Sequence, residues 1–219
     1  LLEKQVSLLV RALKEQVDGR SNQAMKPWLE AISPGLFDAE PPAPEPVEPA
    51  YKPAVVNAPG AIAGRFVGVP QGVILHGTRS GRIWSLAEEF DATVLYATGG
   101  IGLGWNATIG EDRVSIHMPV DAWGWNARSP ASETYLAVEF AQPTADYDVI
   151  DSQVRAFCWL FATMFRPLWP SLPLEFPMHS MLASGRAEGK SDVYGESDPR
   201  YQILIRNIRD RLRAEYGIY

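Results

Sequence analysis

Hydrophobic residues near the N-terminus recur at helical spacing. Apolar side chains three and four residues apart run from Val6 to Val17, and Gly19 follows them. This spacing predicts an amphipathic helix that ends at the glycine. The apolar stripe needs a partner, and the pattern leaves three open: the rest of this chain, a second copy of it, or another domain.

Further along, short apolar runs of strand length alternate with helical patterns. The predicted strands cover residues 73–75, 105–109, 114–118 and 135–141. Helices are predicted after the Ser85–Glu88 capping box, over residues 152–165, and after the Asp198-Pro199 pair. Strands that alternate with helices in this way indicate an α/β fold, with a central mixed β-sheet flanked by helices.

Between these two regions the chain is rich in Pro, Glu and Ala from Pro41 to Pro59. This composition favours an extended, semi-rigid spacer, and a ligand for Pro-binding domains is the alternative function. We therefore expect a helical segment over residues 1–33, a Pro-rich linker over 34–61, and one folded domain over 62–219.

Charge and composition narrow the classes of partner. The 219 residues carry a formal net charge of -6 with a pI near 5.1, whereas a broad nucleic-acid footprint needs a basic face, so we expect no nucleic-acid partner. No apolar run reaches the roughly 18 residues that span a bilayer, and no signal-peptide pattern opens the chain. The single cysteine, Cys158, lies in Phe-Cys-Trp-Leu-Phe, which predicts a buried core residue.

Three residues of zinc-binding types stand far apart in the sequence. His76 ends the apolar run that begins at Val73, and His179 and Asp192 come from one later stretch. Two imidazoles and one carboxylate leave a fourth coordination position open, as in catalytic zinc sites and unlike closed structural ones. Water bound at such a position has a pKa near about 7, so the set predicts a hydrolytic site.

Each candidate also has a structural interpretation. A lone histidine at the end of a buried strand is more often a satisfied core residue, and we interpret His117 in this way because three ligands are already assigned. Lys190, next to Gly189, has the surroundings of a solvated loop lysine. Glu139 lies on the face of its strand opposite the bulky apolar residues, where a carboxylate is costly unless it has hydrogen bonds, an ion pair or a function.

The order of these motifs resembles one enzyme family. A His at a strand end, Ala-Trp-Gly-Trp-Asn after a later strand, an apolar strand carrying Glu139, and a His followed by Lys-x-Asp occur in sequence. Over about residues 62–219 the chain resembles the zinc-dependent N-acetylmuramoyl-L-alanine amidases, which include phage endolysins, wall-recycling amidases and peptidoglycan recognition proteins. The resemblance implies a mixed sheet covered by helices, with a Zn²⁺ cleft at one edge of the sheet.

The resemblance also implies roles for single residues. His76, His179 and Asp192 would be the metal ligands. Glu139 would hold the attacking water and pass its proton to the departing amine, and Lys190 would stabilise the oxyanion. Substrate contacts are expected from Trp123, Trp125, Asn126, Arg79 and Arg128, with Arg82 and Arg186 as further candidates.

Two positions depart from the pattern of some relatives. Trp105 stands where phage amidases often carry a tyrosine beside the metal, and Asn126 stands where Ala-Trp-His-Ala would supply a histidine. A neutral amide cannot change its charge with pH as an imidazole does. We expect these differences to tune activity and not to abolish it.

The predicted function is that of a zinc-dependent peptidoglycan hydrolase, which cleaves the amide between the lactyl group of N-acetylmuramic acid and L-alanine of the stem peptide. It would act at the bacterial cell wall, either from the host cytoplasm at lysis if phage-encoded or after export. Two alternatives remain open: a recognition module that binds muropeptide without cutting it, and a structural or virion-associated component that self-associates through residues 1–33 and carries a lytic domain.

Overall fold

The computed structural model describes residues 51–82, 84–99, 104–195 and 197–219. The predicted N-terminal helix and the Pro-rich segment up to residue 50 lie outside the described residues. A compact unit extends from Ala50 to Tyr219, and it contains every element described below. None of the described helices is long and apolar enough to cross a membrane.

A mixed sheet forms the centre of this unit. Its strands are β1 (Ala54–Asn57), β3 (Val73–Gly77), β4 (Ala107–Ile109), β5 (Arg113–Ile116) and β7 (Leu136–Phe140). In the described part of the chain the five strands lie in the order β1-β5-β4-β7-β3, and only the β4–β5 pair is antiparallel. A separate ribbon pairs β2 (Gly64–Arg65) with β6 (Ala122–Trp123). The predicted mixed sheet is confirmed.

Helices flank the sheet, as predicted. They are α1 (Leu86–Thr98), α2 (Ala131–Thr134), α3 (Asp151–Leu160), α4 (Arg166–Leu168), α5 (Ala183–Ala187) and α6 (Pro199–Tyr216). A π-helical turn, Phe161–Phe165, joins α3 to α4, and a 3₁₀ turn spans His179–Met181.

The ends of α1 and α6 lie where the sequence placed them. The Ser85 hydroxyl accepts a hydrogen bond from the Glu88 amide at 3.2 Å, and the Glu88 carboxylate accepts one from the Ser85 amide at 2.8 Å. This reciprocal pair is the predicted capping box. At α6, Asp198 accepts from the Arg200 amide, and Gly217 ends the helix with φ 63°, a left-handed conformation that suits glycine.

The hydrophobic core lies between the sheet and the helices α3 and α6. Phe140 of β7 and Phe157 of α3 are both fully buried, with ring centroids 5.9 Å apart. Cys158 is also fully buried, and its thiol lies 3.6 Å from the Ile208 carbonyl of α6. Burial raises the pKa of this thiol to about 12. The prediction that Cys158 is a core residue is confirmed.

The folded unit begins earlier than the predicted boundary at residue 62. Residues 54–57, which we assigned to the 34–61 linker, form β1 and pair in parallel with β5 at the edge of the sheet. All four residues of β1 are exposed, so no buried apolar run marks the strand in the sequence. Prolines on both sides give the segment the composition of a spacer, although proline is also compatible with an edge strand.

Candidate metal centre

The strand order places His76 and Glu139 side by side at one edge of the sheet. His76 is the fourth residue of β3, the edge strand, and pairs in register with Glu139 of β7. The apolar residues Val73–Leu75 before His76 are fully buried, so a rigid backbone holds the imidazole. The His76 side chain itself is 4% exposed.

Local packing brings His179 to the same place. A bridge between Leu75 and Met178 ties the 3₁₀ turn to β3. Gly185 of α5 packs so closely on the His179 carbonyl that a Cβ at position 185 would collide with it. The rings of His76 and His179 therefore meet edge to face, with centroids 4.7 Å apart.

Asp192 completes the cluster from the segment that follows α5. Its Oδ2 atom lies 3.4 Å from Nδ1 of His76 and 3.8 Å from Nδ1 of His179. One ligand atom from each residue lies within 4.8 Å of the other two. Tetrahedral zinc with bonds of about 2.0–2.1 Å holds its ligand atoms about 3.3 Å apart. Two imidazole nitrogens and one carboxylate oxygen at this spacing fit a zinc ion.

The charges of the cluster shift its pKa values in different directions. Burial opposes protonation of His76, but hydrogen bonding and charge from Asp192, with charge from Glu139, outweigh it and raise the pKa. For Asp192 the effect of burial is outweighed by His76, which lowers the pKa to about 2. Burial and then the charge of His76 lower the pKa of His179 to about 4. Burial raises the pKa of Glu139 to about 7.

Glu139 shows a second sign of an incomplete environment. Its Oε2 atom is buried and accepts no hydrogen bond from any described residue. Nε2 of His76 and Nε2 of His179 are likewise buried without a partner among these residues. Unsatisfied buried polar atoms cost roughly 1–3 kcal/mol each, so natural proteins retain few of them. Their concentration here indicates that a ligand or water belongs in the site.

A cleft of about 870 Å³ opens over this cluster. Of the residues expected to contact substrate, Arg79, Trp125, Asn126 and Arg128 line it, as do Arg82 and Lys190. Trp123 does not line the cleft. It belongs to the β2–β6 ribbon, where its ring packs on Gly64 and its Nε1 donates to the Arg65 carbonyl at 3.3 Å.

Solved structures share this architecture. The Staphylococcus aureus hydrolase AmiA superposes with a TM-score of 0.52 at 14% identity, over 76% of this chain and 86% of that one. A mutant endolysin from Bacillus subtilis superposes with a TM-score of 0.50 at 15% identity, over 70% of this chain and 97% of that one. This chain has their fold. No protein-family profile and no curated sequence matches the chain.

Two cations on the cleft rim, Arg128 and Lys190, pair with the same carboxylate, that of Glu188. Glu188, at the end of α5, lies 2.5 Å from Nε of Arg128 and 3.8 Å from Nζ of Lys190. The side chains of Arg128 and Lys190 remain 75% and 45% exposed. Because exposed ion pairs contribute little stability, both cations can exchange Glu188 for a ligand at small cost.

Asn126 has a more defined orientation than the sequence indicated. Its amide nitrogen donates to the Gly124 carbonyl at 2.8 Å and to the Gly104 carbonyl at 3.4 Å. Because both neighbours are acceptors, the other end of the amide must be the oxygen. That Oδ1 is buried and unpartnered among the described residues, and the side chain lies beside His76. Asn126 therefore offers the site a hydrogen-bond acceptor.

Sequence analysis missed Glu89, a carboxylate that is 1% exposed in the wall of the cleft. It accepts hydrogen bonds from the Thr78 hydroxyl at 2.5 Å, the Ser80 amide at 3.1 Å and the Ser80 hydroxyl at 2.5 Å. These contacts fix the loop that follows His76. A signal was present, because Glu89 lies on the buried stripe of α1 between Leu86 and Phe90.

His117 lies in a separate hydrogen-bond chain. Its Nδ1 is 2.8 Å from the Ala58 carbonyl, so that nitrogen carries the proton, and its Nε2 is 2.8 Å from the Thr108 hydroxyl. The same hydroxyl accepts from Nε1 of Trp105 at 2.8 Å. Burial lowers the pKa of His117 and keeps the ring neutral. The contacts support the structural role predicted for His117 and orient Trp105 in the cleft wall.

Proposed function

We propose that the protein is a zinc-dependent N-acetylmuramoyl-L-alanine amidase that acts on bacterial peptidoglycan. The observation that carries the proposal is the convergence of His76, His179 and Asp192 beside Glu139, whose Oε2 is buried, at the sheet edge where the family resemblance places a zinc cleft. The fold shared with the AmiA hydrolase and with an endolysin supports it. The bond cleaved is the amide between the lactyl group of N-acetylmuramic acid and L-alanine.

A Zn²⁺ ion held by these three side chains supplies Lewis acidity toward the amide carbonyl and lowers the pKa of a water molecule. Glu139 acts as the general base and then as the general acid. Its unpartnered Oε2 accepts a proton from the attacking water and then gives it to the departing amine nitrogen. A carboxyl whose pKa is raised to about 7 by burial can do both near neutral pH.

Three other residues hold the substrate and its developing charge. Lys190 brings its ammonium to the rim, where it stabilises the oxyanion that forms on the carbonyl oxygen. The fixed Oδ1 of Asn126 accepts an N–H from the substrate backbone. Trp125, which is 44% exposed, offers a flat apolar face to the sugar.

Substitution of the two catalytic candidates tests these roles. We expect Glu139→Gln and Lys190→Met to lower turnover of purified peptidoglycan by at least about 100-fold, because general acid–base and oxyanion contributions are each of this order. Both variants should keep stoichiometric zinc, whereas His179→Ala should lose it. Lys52→Met is the matched control, since Lys52 is an exposed lysine that does not line the cleft. Wild-type turnover in either catalytic variant would refute the role assigned to it.

The remaining parts of the chain complete the proposal. From the sequence alone we predict a helical segment over residues 1–33 and a Pro-rich linker after it, before the compact unit that begins near Ala50. Self-association through the helical segment is a prediction that size-exclusion chromatography with and without residues 1–33 would test. The same ratio of apparent mass to chain mass with and without residues 1–33 would contradict it.

A further inference from the structure

The guanidinium of Arg79 ties the loop after β3 to the segment that carries Asp192. Nε donates to Oε1 of Gln142 at 3.1 Å, Nη1 donates to the Ser191 hydroxyl at 2.6 Å, and Nη2 donates to the Val193 carbonyl. Ser191 and Val193 are the two neighbours of Asp192. One side chain therefore contacts the residues on both sides of a candidate metal ligand, through the hydroxyl of Ser191 and the backbone of Val193.

Hydrogen bonds also fix the Arg79 backbone and the Gln142 side chain that the guanidinium contacts. The Arg79 amide donates to the Gln142 carbonyl at 2.7 Å, and the Gln142 amide donates to the Thr78 hydroxyl at 3.0 Å. Gln142 is 1% exposed, and its own side-chain nitrogen donates to the Tyr147 carbonyl at 2.6 Å. Gly77 fits only because it lacks a Cβ, which would collide with Oε1 of Gln142.

The segment around Asp192 is held by packing of Val193, which is fully buried in the core, and not by secondary structure. Residues 191–193 lie in no helix or strand, and they form no backbone-to-backbone hydrogen bond with another described residue. On either side, the Lys190 amide donates to the Gly185 carbonyl, and the Tyr194 amide contacts Sδ of Met178. A metal ligand must be held within about 0.5 Å of its working position. The planar guanidinium of Arg79, which contacts both neighbours of Asp192, adds a rigid hydrogen-bonded support of this kind.

We propose that Arg79 is a positioning residue for the metal ligand Asp192, in place of the substrate contact expected from the sequence. The inference rests on the proposed metal site. Each of the three guanidinium nitrogens already donates to a protein acceptor, which fixes the orientation of the group in the cleft wall. Arg79 acts by fixing the position of the Asp192 carboxylate.

Metal affinity of the full-length protein tests the proposal independently of turnover. Zn²⁺ dissociation constants would be measured by competition with a chromophoric chelator, and the ligand field by the visible absorption of the Co²⁺-substituted protein. We expect Arg79→Ala to weaken Zn²⁺ binding about 10- to 100-fold, the range for groups that orient a metal ligand, and to change the Co²⁺ spectrum. Arg79→Lys keeps the charge but cannot bridge Ser191 and Val193, so it should not restore either value.

Arg113→Ala is the matched control. Arg113 also bridges two elements, through an ion pair with Asp91 and a hydrogen bond to the Ala87 carbonyl, but it has no contact with the Asp192 segment. We expect it to lower thermal stability and leave Zn²⁺ affinity and the Co²⁺ spectrum unchanged. Ser191→Ala removes only the Nη1 contact and should weaken Zn²⁺ binding in the same direction as Arg79→Ala, but less.

The outcomes separate this inference from the proposed function. Wild-type affinity and an unchanged Co²⁺ spectrum in folded Arg79→Ala would overturn the positioning role alone, and a raised KM in that variant would return Arg79 to the substrate contacts. If Arg79→Ala does not fold, wild-type affinity in Ser191→Ala would overturn the role. Failure of the unmodified protein to bind either ion would overturn both the inference and the proposed function.

Discussion

Replacing Glu89 tests how the loop beside the metal ligands is held. In Glu89→Ala the Ser80 amide and hydroxyl lose their buried acceptor, whereas the Thr78 hydroxyl keeps its contacts with Gln142. Hydrogen bonds to a charged group contribute roughly 1.5–3 kcal/mol each, and the two from Ser80 are lost, with only water to replace the carboxylate at this exposed residue. Removing a buried charge recovers part of its desolvation cost. We therefore expect unfolding free energy to fall by about 3 kcal/mol.

Thermal unfolding followed by circular dichroism measures this loss. For a unit of this size each kcal/mol lowers Tm by about 2–4 °C, so Glu89→Ala should unfold about 6–12 °C below the wild type. Glu89→Gln keeps one acceptor oxygen, so its Tm should lie between those of Glu89→Ala and the wild type. Glu88→Ala is the matched control, because this neighbouring carboxylate is exposed and its hydrogen bonds with the described residues are those with Ser85 in the capping box. Equal Tm values for Glu89→Ala and Glu88→Ala would refute the reasoning.

Three further predictions follow from burial and orientation. Cys158 should resist a thiol reagent at pH 8 until denaturant is added, because its thiol is fully buried with a pKa raised to about 12; rapid labelling of the folded protein would contradict this. Trp125→Ala should raise KM for peptidoglycan, whereas Trp123→Ala should lower Tm and, because its ring packs edge to face on that of Trp125 at 5.1 Å, raise KM less; the reverse pattern would contradict their placement. Asn126→Asp keeps an acceptor but adds a negative charge beside His76, the strand partner of Glu139, so it should shift the acidic limb of the pH–rate profile to higher pH, and an unshifted limb would contradict this.

Sequence patterns predicted elements that are stabilised locally or buried as a continuous run. The capping box at Ser85, the cap at Asp198 and the buried strand ending at His76 are all of this kind, and each is where it was predicted. Strand β1 was missed because its residues are exposed and its partner, β5, lies more than 50 positions away. Pairing over such a separation leaves no trace in local periodicity.

The candidate site was also predicted only in part from the sequence. The candidate residues could be found from the sequence, because His76 and Glu139 lie in recognisable strands and the resemblance orders the rest. The contacts of Arg79 and Glu89 could not, since each depends on residues that only the folded chain brings together. Trp123 and Trp125 looked equivalent in the sequence, but β6 ends at Trp123, so only Trp125 reaches the cleft.

The most direct test of the proposed function is mass spectrometry of purified peptidoglycan after digestion by the protein, with and without a zinc chelator. We expect free stem peptides that begin with L-alanine, their loss when the chelator is present, and their return when Zn²⁺ is added back. Intact glycan–peptide linkages, despite bound Zn²⁺ and measurable muropeptide affinity, would contradict it and identify the protein as a recognition module.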